Sequence, residues 1–197
     1  MECLMKKIIV AAILILSTQL HAEADYQASN DFPFGRPNPD APAQILDYKY
    51  LIGTSECKSR SRKPDQTWAD PVNMTWSFKY ILNGMGVQDE TLKDDGRHSG
   101  SIRQYSKSLG RWFVHYYTTV SIPNNRIKTA HLPVWEGNLK KDQIVLYNEQ
   151  KAPNGMEGFS RLTFSDMTKK SFNWTGAWVD KEEKIVYENW KISCKKR

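Results

Sequence analysis

The chain has 197 residues, 40% of them hydrophobic, which suffices for one domain with a sizeable core and requires no second one. Its formal net charge is +6. The basic excess is scattered as single lysines between apolar residues and is dense only at Lys195, Lys196 and Arg197. A nucleic-acid binder carries instead a basic stripe interleaved with exposed aromatics, so nucleic acid is not an expected partner.

Met5, Lys6 and Lys7 give a positive start, and residues 8–16 form an apolar run well short of the roughly 20 residues that span a bilayer. Followed by Gln19, Leu20, His21, Ala22, Glu23 and Ala24, this run has the pattern of a secretory signal peptide cleaved after Ala22 or Ala24. The expected organisation is a signal at 1–22, an extended leader at 23–44 and a folded domain at 45–197. That implies a periplasmic or secreted location and no membrane span once the signal is gone. Only Cys57 and Cys194 then remain, and an even pair in an oxidising compartment suggests a disulfide. Cys57 lies near the start of the folded region and Cys194 near its end, so the bridge requires the first and last strands to be neighbours. Closing a sheet into a barrel does this.

The leader carries Pro33, Pro37, Pro39 and Pro42 among small and polar residues and reads as extended chain outside the core, with Phe32 and Phe34 able to dock onto the domain. Asp40 as a cap and Pro42 in the first turn predict a short helix to about Leu51, ended by Gly53. From Thr54 onward apolar and polar residues alternate with period two between turn residues. The clearest strand is 72–82, where Met74, Trp76, Phe78 and Tyr80 share one face and Asn73, Thr75, Ser77 and Lys79 the other. Residues 87–93 and 98–105 form a hairpin through Asp94, Asp95 and Gly96, a turn that tolerates positive φ. Residues 111–119 set Trp112, Val114 and Tyr116 against Phe113, His115 and Tyr117. Strands at 134–139, 144–148, 159–164, 170–179 and 185–194 follow, the last two joined by a charged turn at 180–184. Eight to ten sequential hairpin strands predict an all-β, antiparallel up-and-down barrel, with an open two-sheet sandwich as the rival.

Leu51, Ile52 and Gly53, then Gly84 and Gly86, then Arg103, Tyr105 and Gly110 to Trp112, come in an order that resembles the lipocalin-like, calycin-type barrels. So do Arg161, Thr163 and Phe164, then Phe172, Asn173 and Trp174, and a final aromatic strand with Tyr187 and Trp190. Within that group the chain is most similar to the bacterial domain of unknown function 1579. The likeness covers residues 45–194 and implies a barrel that binds a small molecule, with no known reaction. Where that family has Gly-x-Trp on the first strand, this chain has Gly53, Thr54 and Ser55.

All seven tryptophans fall after residue 22, and large rings either fill a barrel or line a pocket. Trp76, Phe78, Trp112, Tyr116 and Trp174 are the candidate ring contacts to a ligand. Arg103 and Arg161 are the candidate polar anchors, able to pair with a carboxylate or phosphate if they point inward. The alternation of Arg161 and Thr163 against Leu162 and Phe164 turns Arg161 outward unless both faces are lined. His115 is the one residue placed to serve as an axial haem ligand, as in some ten-stranded relatives of these barrels, but a lone strand histidine is far more often structural. No histidine has a neighbour at metal-ligand spacing, so neither cofactor nor metal is expected. There is no nucleophile elbow, metal-binding helix or phosphate loop. The function these observations favour is an exported protein holding a hydrophobic or amphipathic molecule in its barrel. The rivals are an enzyme acting on such a molecule, and an envelope interaction module with a filled barrel.

Overall fold

The computed structural model describes residues 25–119 and 133–197; the expected signal at 1–22 lies outside them. Ten strands follow a short 3-10 helix (Ala43–Tyr48): β1 (Gly53–Ser61), β2 (Val72–Ile81), β3 (Gly86–Lys93), β4 (Ser99–Ser106) and β5 (Arg111–Thr118), then β6 (Val134–Lys140), β7 (Gln143–Glu149), β8 (Gly158–Ser165), β9 (Ser171–Asp180) and β10 (Val186–Lys196). Each strand pairs with the next, and β1 pairs with β10, so the sheet is a closed antiparallel barrel of the lipocalin-like type. The sandwich rival is thereby excluded.

Alternation sets which side chains enter the barrel. On β2, Met74, Trp76, Phe78 and Tyr80 are buried while Asn73 and Lys79 face solvent. Cys57 and Cys194 stand directly opposite each other in the β1–β10 register and form the disulfide that seams the first strand to the last. Both sulfurs sit inside.

The barrel is packed at one end. There the 3-10 helix brings Ile45, Tyr48 and the following Leu51 down onto the ring made by Phe78, Trp112, Phe164 and Phe172. The Tyr48 and Trp112 rings meet edge to face, 4.8 Å between centroids, and Trp112 Nε1 donates to Asp47 Oδ2 at 2.9 Å. Each such fully buried ring contributes about 1.5–3 kcal/mol over an exposed one. Ser55 on β1 and Trp112 on β5 are both wholly buried.

One expectation changes. The helix is shorter than its predicted run to Leu51, and Asp40 does not cap it: Pro42, with ψ 140°, occupies the cap position, and no side chain caps the helix. Asp40 lies two residues upstream, where its own N–H bonds Asn38 Oδ1 at 2.9 Å. The leader is not free. Tyr80 N–H donates to the Phe34 carbonyl at 2.9 Å, and Asn38 N–H to the Gly84 carbonyl at 3.2 Å. Gly84 makes that approach possible, since a Cβ there would lie 2.5 Å from the Arg36 carbonyl oxygen and at φ +78° would be strained as well. Phe34 is half-buried, whereas Phe32 stays largely exposed under the Arg36 guanidinium.

Candidate functional site

Above the packed end the barrel is hollow. The cavity has a volume of about 290 Å³, at the small end of ligand sites. Its walls come from the β2–β5 side and from the β8–β10 side, closed by Trp135 and Leu146. The ring of Trp174 packs edge to face against Trp190 at 5.0 Å, and Tyr116 against Trp135 at 6.0 Å. Indole N–H groups there are already engaged: Trp190 Nε1 bonds Ser59 Oγ at 2.8 Å, and Trp135 Nε1 bonds Ser160 Oγ at 3.4 Å. With those donors turned aside, the ring faces form an apolar wall of fixed orientation.

A polar cluster forms the floor. Asp89 Oδ2 accepts from Trp76 Nε1 at 2.7 Å, and Oδ1 accepts from Ser101 Oγ at 2.7 Å and from Arg103. Both members of the Asp89–Arg103 ion pair have 3% exposed side chains, so this is a fully desolvated pair. The guanidinium carbon lies 5.2 Å from the Tyr48 ring centroid, 5.1 Å from Phe78 and 5.9 Å from Phe164, an aromatic cage beneath the cavity. Burial works against the Arg103 charge, but the Asp89 carboxylate and Tyr48 together outweigh it and leave the Arg103 pKa raised. Burial also pushes Tyr48 up to about 12, against the opposing pull of Arg103. Among the described residues Arg103 Nε and Tyr48 Oη are buried without hydrogen-bond partners of adequate geometry.

Of the seven residues proposed from sequence as ligand contacts, the structure brings Trp76, Arg103, Tyr116 and Trp174 to the cavity. Phe78 and Trp112 belong to the packed end and are wholly buried there. Arg161 is on the outer wall, its Nη1 bonded to Glu183 Oε2 at 2.5 Å, because Ser160, Leu162 and Phe164 take the inner positions of β8. His115 is exposed on the outer face, opposite Ile102 and Val134, so its imidazole does not address the cavity. Sequence reasoning missed Asp89, Lys93 and Ser101. A buried strand arginine needs a carboxylate on a neighbouring strand, and Asp89 on β3 faces Ser101, two residues before Arg103, in the β3–β4 register. Among the described residues no group of three or more His, Cys, Asp or Glu could hold a metal, and no helix is long and apolar enough to cross a membrane.

No protein-family model and no curated protein matches the sequence. Among solved structures the chain is similar to Rv2717c from M. tuberculosis, with a TM-score of 0.51 at 10% identity over 80% of this chain and 99% of that one. It is less similar to the S-type phycobiliprotein lyase CPES from Guillardia theta, with a TM-score of 0.46 at 9% identity over 79% and 98% of the two chains. For EF1p2_mFAP2b bound to DFHBI the TM-score is 0.33 at 12% identity over 79% and 100%. The likeness to Rv2717c is one of fold alone.

Proposed function

We propose that this chain is an exported small-molecule-binding protein whose barrel holds a hydrophobic or amphipathic ligand. The observation that carries the reading is the hollow of about 290 Å³ above the packed end, walled by tryptophan and tyrosine rings, with the N–H groups of Trp76, Trp135 and Trp190 already bonded. A barrel needing only stability would gain by filling that space, and an apolar hollow offers water few partners. The signal pattern at 1–22 and the Cys57–Cys194 bridge support export.

Binding is favoured over turnover by the state of the polar groups. Both oxygens of the floor carboxylate already accept, from Trp76, Ser101 and Arg103, so Asp89 is held as a buried counter-ion rather than presented to a substrate proton. A filled-barrel interaction module does not account for the hollow. The test is native mass spectrometry of the mature chain, purified gently, beside a Val114→Phe variant that puts a ring into the cavity. A stoichiometric extra mass, released by denaturation and missing from the variant, is the expected result. A bare wild-type mass, together with unchanged tryptophan emission on adding naphthalene-2-carboxamide, refutes the reading.

A further inference from the structure

Among the described residues three charged side chains line the cavity: Asp89, Arg103 and Lys93. The first two neutralise each other at the floor, and Asp89 spends both oxygens on Arg103, Ser101 and Trp76. A ligand anion placed there would meet that carboxylate at short range. Lys93 is different. It is the last residue of β3, at the end of the barrel away from the helix, and its side chain is only 12% exposed. Its ammonium has one ion-pair partner, Asp95 Oδ2 at 3.3 Å, and that oxygen is shared with Arg97, which holds it more closely through Nη2 at 2.8 Å and Nε at 3.0 Å. On its other side Lys93 Nζ stands 5.6 Å from the Trp190 ring centroid. An ammonium carries three donors, so Lys93 keeps capacity for an acceptor inside the cavity. Among the described residues the cavity lining thus holds one positive charge in excess, at the mouth.

We propose that the ligand is a monoanion, a compact ring system bearing one carboxylate, with the anion on Lys93 at the mouth and the rings among Trp76, Trp174 and Trp190 above the Asp89–Arg103 floor. This rests on the ligand-cavity reading and adds polarity and charge to it. The dimensions agree. Asp89 and Lys93 are four residues apart on one strand, about 13 Å at the usual rise, which leaves room for two fused rings between floor and mouth.

The experiment compares naphthalene-2-carboxylate with its neutral isostere naphthalene-2-carboxamide, by tryptophan-quenching titration at low salt, in the wild-type chain and in Lys93→Met, Lys93→Arg and Arg97→Gln. The expected wild-type preference for the carboxylate is about 10-fold or more, the scale of a charge-assisted hydrogen bond at a largely buried site. Lys93→Met should abolish the preference while still binding the amide, which also shows that the variant keeps its cavity. Lys93→Arg should retain the preference, and Arg97→Gln, which leaves Asp95 to pair with Lys93 alone, should reduce it. Equal affinity for the two probes in the wild type, or a preference that survives Lys93→Met, overturns this inference and leaves the cavity reading standing. Binding of neither probe overturns both.

Discussion

Replacing Asp89 by Asn tests the floor of the cavity and the stability of the barrel together. The substitution keeps the shape and a carbonyl oxygen for Trp76 Nε1 or Ser101 Oγ, but leaves the Arg103 guanidinium, 3% exposed, without its counter-charge. Removing one member of a buried ion pair costs about 3–5 kcal/mol, because the remaining charge is stranded in a poorly solvating interior. For a domain of this size each kcal/mol lowers Tm by about 2–4 °C, so a fall of about 6–20 °C is expected by differential scanning calorimetry. Arg103→Met should fall comparably, since Asp89 is then the stranded charge. The double variant, Asp89→Asn with Arg103→Met, removes both charges and should lose much less than the two single losses added together; only one of the Trp76 and Ser101 donors is then left unpaired, at about 1–3 kcal/mol. That positive coupling is what a desolvated pair requires. Single variants melting within about 2 °C of wild type, or a double variant equal to the sum of the singles, would refute the reasoning and make the pair an ordinary solvated contact.

Two further outcomes follow from the same interior. Cys57 and Cys194, 137 residues apart and both buried, should resist thiol labelling in unreduced, denatured protein, and the Cys57→Ser, Cys194→Ser double variant should lose about 4–5 kcal/mol in urea titrations, the chain-entropy value for so long a loop. Tyr48, raised to about 12 from an ordinary 10, binds its proton in the fold over a range where the unfolded chain has released it. Its contribution to stability is therefore complete below pH 10 and is lost as pH rises to about 12. Stability measured across that window should fall with a shallower slope in Tyr48→Phe, which removes a hydroxyl that has no hydrogen-bond partner among the described residues; an unchanged slope would place the alkaline loss elsewhere.

How much of this was legible in the sequence is set by what a period of two can and cannot say. Alternation groups residues by strand face, setting Trp76 with Phe78 on β2 and Trp112 with Val114 and Tyr116 on β5, and these are the faces the structure turns inward. It does not fix height along the barrel axis. Trp112 and Tyr116 share a face of one strand, yet four residues at the strand rise separate them by about 13 Å, and that distance divides the packed end from the cavity wall. Height depends on the stagger between neighbouring strands and on which end the helix covers, neither of which is written in a single strand's pattern. Polarity hid the rest. Val87, Asp89, Thr91 and Lys93 line the inner face of β3 while Gln88, Glu90 and Leu92 line the outer, so both faces read as mixed and neither announces a core. The inner face makes sense only beside β4, whose Ser101 and Arg103 complete the floor that Asp89 begins. One strand then carries the cavity's buried counter-ion near its middle and its excess cation at its end. With the opposite end stopped by Tyr48, Trp112 and Phe78, the described charges run along the barrel axis from a neutral pair at the floor to Lys93 at the mouth, a polarity that would orient the amphipathic guest proposed above.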